Sequence, residues 1–228
     1  MSTTRFPKGV TNARPNTSLA YMGQPDLTKF NTYFDDFNTY LASDWVITAV
    51  GTGTTALTAG DGGLLLVTTS AAAPDSRSHQ LAVATFTFTA GKRMFFKAAG
   101  TLSNATLSVL QLGLVVTDTT PTDATDGIYF LKPAGTANIG AFVRRDAATG
   151  NLSNTAIAVA TTAYTSYGFD YDGKDTVTFF INDVAVGSLP CTSINSPDTT
   201  LSVTFHLGNG DAVARTFSLD YILAAKER

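Results

Sequence analysis

Cleaving a glycosidic bond requires two carboxyl groups flanking it, one protonated and one ionised. This 228-residue chain holds a single glutamate, Glu227, close to its end. A Glu-x-Asp-x-Glu run would line up carboxyls on one face of a strand, because alternate residues point the same way, and no such run occurs. Asp35 and Asp36 are adjacent, so on a strand they face opposite ways. Asp170 and Asp172 share a face but lead into a turn signal, Asp172-Gly173. Serine hydrolysis needs a base held by a third group. Only His79 and His206 are on offer, and no Gly-x-Ser-x-Gly is present. His79 ends the polar stretch Pro74–His79 and His206 falls on the polar side of an alternating run, so both read as exposed surface residues. Two isolated histidines and one cysteine cannot build a zinc site. Cys191 follows Pro190 at an expected strand end and reads as a small buried hydrophobe. Gly51-Thr52-Gly53 is followed by no third glycine or helix, so it cradles no phosphate. The expectation is a protein without enzymatic activity or cofactor.

Two groups of residues stay open to more than one reading. Asp118, Asp123 and Asp126 crowd the stretch Thr117–Gly127. Several oxygens from one loop can hold Ca²⁺, yet the pattern is not an EF-hand loop, and Asp/Thr/Pro clusters also make ordinary turns. The aromatics Tyr33, Phe34, Phe37, Tyr40 and Trp45 could line a sugar groove, but their spacing across a strand and a turn favours packing in the core.

The elements that must position these residues are strands. Period-two alternation dominates from Tyr33 onward. Leu201, Val203, Phe205 and Leu207 alternate with Ser202, Thr204 and His206; Phe217, Leu219, Tyr221 and Leu223 with Ser218 and Asp220; Val177, Phe179 and Ile181 with Thr176, Thr178 and Asn182; Tyr167, Phe169 and Tyr171 with Gly168, Asp170 and Asp172. Further strands are expected near 45–50, 63–69, 80–89, 93–99, 106–117, 127–131, 138–145 and 155–160. The 106–117 run is apolar on both faces and reads as central or covered. Asp61-Gly62-Gly63, Asp172-Gly173-Lys174-Asp175 and Gly208-Asn209-Gly210-Asp211 carry the chemistry of tight hairpins. About a dozen strands with short turns imply an all-β, two-sheet antiparallel sandwich of jelly-roll type.

Residues 1–30 differ from the rest and are read as an extended basic arm, with residues 31–228 as the sandwich domain. Arg5, Lys8, Arg14 and Lys29 stand against Asp26, and Pro7, Pro15 and Pro25 favour extended backbone. A short helix is expected within 26–41, with Asp26 as a possible cap. Charged residues make up 14% of the chain, against about a quarter in an average domain, so a partner-covered surface is expected. The net charge of −3 gives no field favouring nucleic acid. The N-terminus lacks the apolar stretch of a secretory signal, and runs such as Leu64–Val67 are too short to span a bilayer, so synthesis in a cytoplasm and no membrane partner are expected.

Two segments carry resemblances. Phe169–Gly173 followed by Thr178–Gly187 resembles the paired strands of concanavalin A-like (laminin-G-like) sandwiches, with Asn182-Asp183 where Asn-Gly is usual. Arg5–Asn12, Phe34-Asp35-Asp36-Phe37 with Trp45, and Asp220–Arg228 together resemble a group of tailed-bacteriophage head decoration and capsid-stabilising proteins. That likeness implies a virion component on the capsid exterior, a cement protein, made in the host cytoplasm. Its partners would be the major capsid protein and neighbouring copies, as a homotrimer. The contact residues expected on the arm are Arg5, Phe6, Lys8 and Arg14. The alternative is a carbohydrate-binding virion module that attaches to host-surface glycans.

Overall fold

The structure, a computed structural model, describes residues 28–60, 62–83, 85–158, 163–192 and 196–228. In chain order the strands are β1 (Phe30–Asp35), β2 (Trp45–Val50), β3 (Thr54–Thr58), β4 (Leu64–Thr68), β5 (Ser76–Leu81), β6 (Phe86–Thr87), β7 (Met94–Leu102) and β8 (Ser108–Val116). They continue as β9 (Gly127–Lys132), β10 (Asn138–Arg145), β11 (Ala148–Ala158), β12 (Thr165–Tyr171), β13 (Thr176–Ile181), β14 (Val184–Pro190), β15 (Thr200–Asn209) and β16 (Thr216–Glu227). They form two antiparallel eight-stranded sheets. Sheet I runs β14-β13-β12-β7-β16-β4-β3, with β1 also on β16; sheet II runs β11-β10-β9-β8-β15-β5-β2, with β6 also on β15. This is the jelly-roll sandwich that the alternation implies. Among the described residues no helix is long and apolar enough to cross a membrane.

The core lies between the sheets, built from the inward half of each alternation. Phe96 stacks on Phe169 at 5.4 Å within sheet I, and Phe130 of sheet II meets Phe179 at 5.3 Å and Tyr167 at 5.7 Å. Aromatic pairs at such separations add to the area they bury. The apolar strand β8 sits between β9 and β15, and its buried residues fall on both faces, as expected of a covered central strand.

Several local expectations are corrected. The helix within 26–41 is absent from its described part: Phe30–Asp35 is β1, paired along its length with the C-terminal strand. Aromatic and β-branched residues gain more there from cross-strand contact than from a helical turn. The strand expected over 80–89 instead runs from Ser76 to Leu81, and only Phe86–Thr87 forms a second, short piece. Polar Ser76, Ser78 and Gln80 hide a strand whose polar face is itself buried or half-buried. Gly208 and Asn209 finish β15 rather than making a hairpin. Asn209 is a buried anchor: it donates to the Ser70 and Ala72 carbonyls and accepts from the Asp75 N–H. In β16 a bulge between Leu219 and Tyr221 breaks the expected run. Phe217 and Leu219 point inward, but beyond the bulge Ile222 and Ala224 do, and Tyr221 and Leu223 turn out.

The turns at Gly62-Gly63 and Gly173 have the positive φ their sequences suggest. Asn182 and Asp183 adopt φ of 49° and 62°, so the pair makes the two-residue hairpin without glycine.

Candidate ligand-binding face

The outward half of sheet I carries an open polar and aromatic surface. On β7, Met94, Phe96 and Ala98 are buried while Phe95 and Lys97 face out. The register sets Phe95 opposite Asp170 and Lys97 opposite Gly168 of β12; Gly168 in turn lies opposite Phe180 of β13. Gly168 carries no side chain to fill the space between Lys97 and Phe180. A Cβ there would lie 3.1 Å from the Phe96 carbonyl and 3.6 Å from the Lys97 Cγ. The result is a hollow of about 290 Å³ lined by Arg93, Phe95, Lys97, Gly168, Asp170, Phe180 and Asp183. A second hollow of about 200 Å³ shares Arg93, Phe95 and Asp170 with it and extends to Phe30, Ala225 and Glu227.

Two ion pairs flank the aromatic floor. Arg93 Nη2 lies 2.6 Å from Asp170 Oδ2, and Lys97 Nζ lies 2.6 Å from Asp183 Oδ1. The Asp170 hydrogen bond and charge raise the Arg93 pKa; the Asp183 hydrogen bond raises that of Lys97. Each carboxylate here already has a partner, and Glu227 accepts the Arg93 backbone N–H at 2.9 Å. The face thus offers an aromatic surface edged by donors and acceptors, a combination that grips sugar rings by stacking and hydrogen bonding.

The outward half of sheet II is closed. The β8–β9 loop folds back on it: Gln111 donates to the Pro121 carbonyl at 2.7 Å, and Asp118 N–H donates to Gln80 Oε1 at 2.9 Å. Ala124 packs with Val115 and Tyr129, and Tyr129 stacks on Phe142 at 5.2 Å. Both histidines are buried, which overturns their reading as surface residues. β15 is central, and all but its first residue are buried on both faces, so its polar side is not a solvent side. His206 Nδ1 and Ser78 Oγ are 2.6 Å apart, and burial pushes the His206 pKa down to about 4. Among the described residues no carboxylate is hydrogen-bonded to this pair, so none of them supplies the orienting third group of a triad. His79 points between the sheets, stacked on Phe205 at 4.5 Å; burial, then Arg77 and His206, push its pKa down to about 3.

The other expected site residues separate. Asp118 closes a turn by accepting the Thr120 N–H, Asp123 pairs with Arg144 at 3.0 Å, and Asp126 alone of the three is buried. Of the aromatics, Phe37 and Trp45 are buried and Tyr33 packs edge-on to Trp45 at 6.1 Å, while Phe34 is 58% exposed on the outer face of β1. Cys191 is buried, its thiol pushed up to about 12 by burial and then by Asp172. Arg5, Phe6, Lys8 and Arg14 lie outside the described residues. The groove residues Arg93, Phe95 and Lys97 were missed from sequence; the outward-facing aromatic between two cations at the start of β7 was their signal.

No family model matches this chain, and no curated protein matches it. Solved structures do. A protein of unknown function from Shewanella oneidensis MR-1 is similar at TM-score 0.61 and 15% identity, covering 87% of each chain. An endo-1,3-beta-glucanase from Streptomyces sioyaensis is similar at TM-score 0.60 and 11% identity, over 88% of this chain and 97% of that one. Arcelin-5, a lectin-like defense protein from Phaseolus vulgaris, is similar at TM-score 0.59 and 10% identity, over 88% of this chain and all of the other. A hydrolase and a lectin-like protein thus share this sandwich, and the likeness speaks to fold rather than activity.

Proposed function

We propose that this chain is a non-catalytic carbohydrate-binding sandwich that uses the outer face of sheet I. The observation that carries it is the hollow floored by Phe95 and edged by the Arg93–Asp170 and Lys97–Asp183 pairs. Lectin-like and glucanase relatives of the fold support a sugar as ligand class. The carboxylates of this face are held by cations or by a backbone N–H, which favours binding over hydrolysis. The test is a glycan array followed by calorimetry on the best hit. Phe95→Ala should weaken binding about ten-fold or more, the range of one base or ring stacked on an aromatic. An array without hits, or a hit that Phe95→Ala leaves unchanged, would overturn the assignment.

The setting proposed for this activity is the exterior of a tailed-phage head. There the chain would act as a decoration protein, its arm residues Arg5, Phe6, Lys8 and Arg14 docking on the major capsid protein or on neighbours in a trimer. The resemblance of the N- and C-terminal segments supports it, as does Phe34, which stands exposed on the strand paired with the C-terminal strand. Quantitative mass spectrometry of purified virions tests it. Hundreds of copies in simple ratio to the shell protein fit decoration; a few tens point to tail or fibre; none removes the chain from the virion. A capsid-binding assay tests the arm separately: removing residues 1–25 should abolish binding, and unchanged binding sinks the docking role.

A further inference from the structure

Three loops at one end of the sandwich bring together three carboxylates from distant parts of the chain. Asp126 closes the β8–β9 loop, Asp146 sits in the β10–β11 turn, and Asp198 precedes β15. One carboxylate oxygen from each lies within 4.8 Å of the others. The backbone holds the first two in place: the Ala147 N–H donates to the Thr125 carbonyl at 3.0 Å, and the Val116 N–H to the Asp126 carbonyl at 3.0 Å.

The charges in this corner do not close. Arg145 bridges Asp198 at 2.6 Å and Asp146 at 3.5 Å. The neighbouring Arg144 turns instead to Asp123. Among the described residues the cluster of three carboxylates is ion-paired by one guanidinium, an excess of two negative charges within the cluster, and Lys174, which lines the adjoining cleft, makes no ion pair with them. Asp126 makes the excess costly. It is 4% exposed, its Oδ1 is buried with no hydrogen-bond partner, and no lysine or arginine among the described residues lies within ion-pair distance of it. A buried carboxylate without a partner loses its hydration and recovers nothing.

We propose that Asp126, Asp146 and Asp198 form a Ca²⁺ site that ties these three loops together. All three donors are hard oxygens, which suit Ca²⁺ rather than a soft metal. Ca²⁺–oxygen distances of about 2.3–2.6 Å accommodate oxygens spread this widely around one ion. A divalent cation matches the charge excess and gives the Asp126 oxygen its missing partner. Asp146 and Asp198 are exposed, so the remaining positions open to water. Asp198 and Arg145 also line an adjoining cleft of about 350 Å³ with Phe88, Tyr171 and Cys191, so the ion would sit at its rim. The sequence reading grouped Asp126 with Asp118 and Asp123; the fold replaces those two with residues 20 and 72 positions further on.

The inference is independent of sugar binding and is tested on the full chain with the metal alone. Thermal unfolding is followed in EDTA and then in millimolar CaCl₂ or MgCl₂, with calorimetric titration of CaCl₂ in parallel. Saturating Ca²⁺ should raise Tm by about 5–10 °C, the shift expected at roughly a hundred times Kd. Mg²⁺ should do less. Asp126→Asn should erase the Ca²⁺ response while melting no lower than the parent in EDTA, because it removes an unpaired buried charge. Asp198→Asn, at an exposed position, should cut Ca²⁺ affinity at least ten-fold without loss of folding. No Ca²⁺-dependent shift and no binding heat, or a full response in both variants, would overturn the site.

Discussion

The outer faces of the two sheets start from the same alternation and end differently. That of sheet I stays open, with Phe95, Lys97, Asp170 and Phe180 around a hollow. That of sheet II carries an equally polar row, Ser78, Gln80, Thr204, His206 and Gln111, yet all five are buried. Connection length accounts for much of the contrast. β12 and β13 are joined by Asp172–Asp175, and β13 and β14 by Asn182-Asp183, turns too short to reach back over a sheet. β8 and β9 are joined by residues 117–126, long enough to fold back and satisfy Gln80 and Gln111 with its own backbone. A polar strand face therefore indicates solvent only where the neighbouring loops are short.

The contrast can be broken most strongly at Tyr129. Tyr129→Ala removes the ring on which the β8–β9 loop and Phe142 pack, and should cost about 3–5 kcal/mol. Denaturant midpoints would show the loss; calorimetry at the sheet I groove should show little change in ligand affinity per folded molecule. Equal loss of both would mean that the two faces are not independent.

Acid is the next lever, and it acts on the closed face. The folded-state pKa of His206 is depressed to about 4, so the unfolded chain binds a proton below about pH 6.5 that the native state refuses. Stability contributed by keeping His206 neutral is fully present above about pH 6.5 and is lost as pH falls through the folded value. The loss is on the order of 3 kcal/mol across that window. His79, depressed to about 3, adds to the same trend. His206→Gln, which keeps a polar partner for Ser78, should flatten the pH dependence of unfolding between pH 6.5 and 4. A curve that stays as steep would place the acid sensitivity elsewhere.

The smallest effect belongs to the open face. Arg93–Asp170 is a solvent-exposed pair, with the Arg93 side chain 58% exposed, so Asp170→Asn should change stability by about 1 kcal/mol or less. Its effect should appear in ligand affinity instead. A large stability loss would show that the groove wall is structural rather than reserved for a ligand.

Much of the sandwich was readable in the alternation. Strands such as Trp45–Val50, Thr176–Ile181 and Asn138–Arg145 stand where the pattern puts them, because a half-buried strand must alternate to bury one face. The errors cluster where an added residue or a covering element breaks that rule. The bulge before Tyr221 inverts the end of β16, and the coverage of sheet II makes Ser76–Leu81 look like a loop and His206 like a surface residue. The groove was nearly invisible, since its side chains come from Arg93 before β7 and from β7, β12, β13 and the β13–β14 turn.

Local alternation and residue type were enough for an all-β sandwich, a buried Cys191 and the absence of a Glu-x-Asp-x-Glu run. Which polar residues see water and which acids meet depends on the folded chain. Register set Phe95 beside Asp170 and Gly168, loop length buried His206, and three loops joined Asp126 to Asp146 and Asp198. Those outcomes depend on contacts between residues far apart in the chain, and no local pattern encodes which distant loop folds over which face.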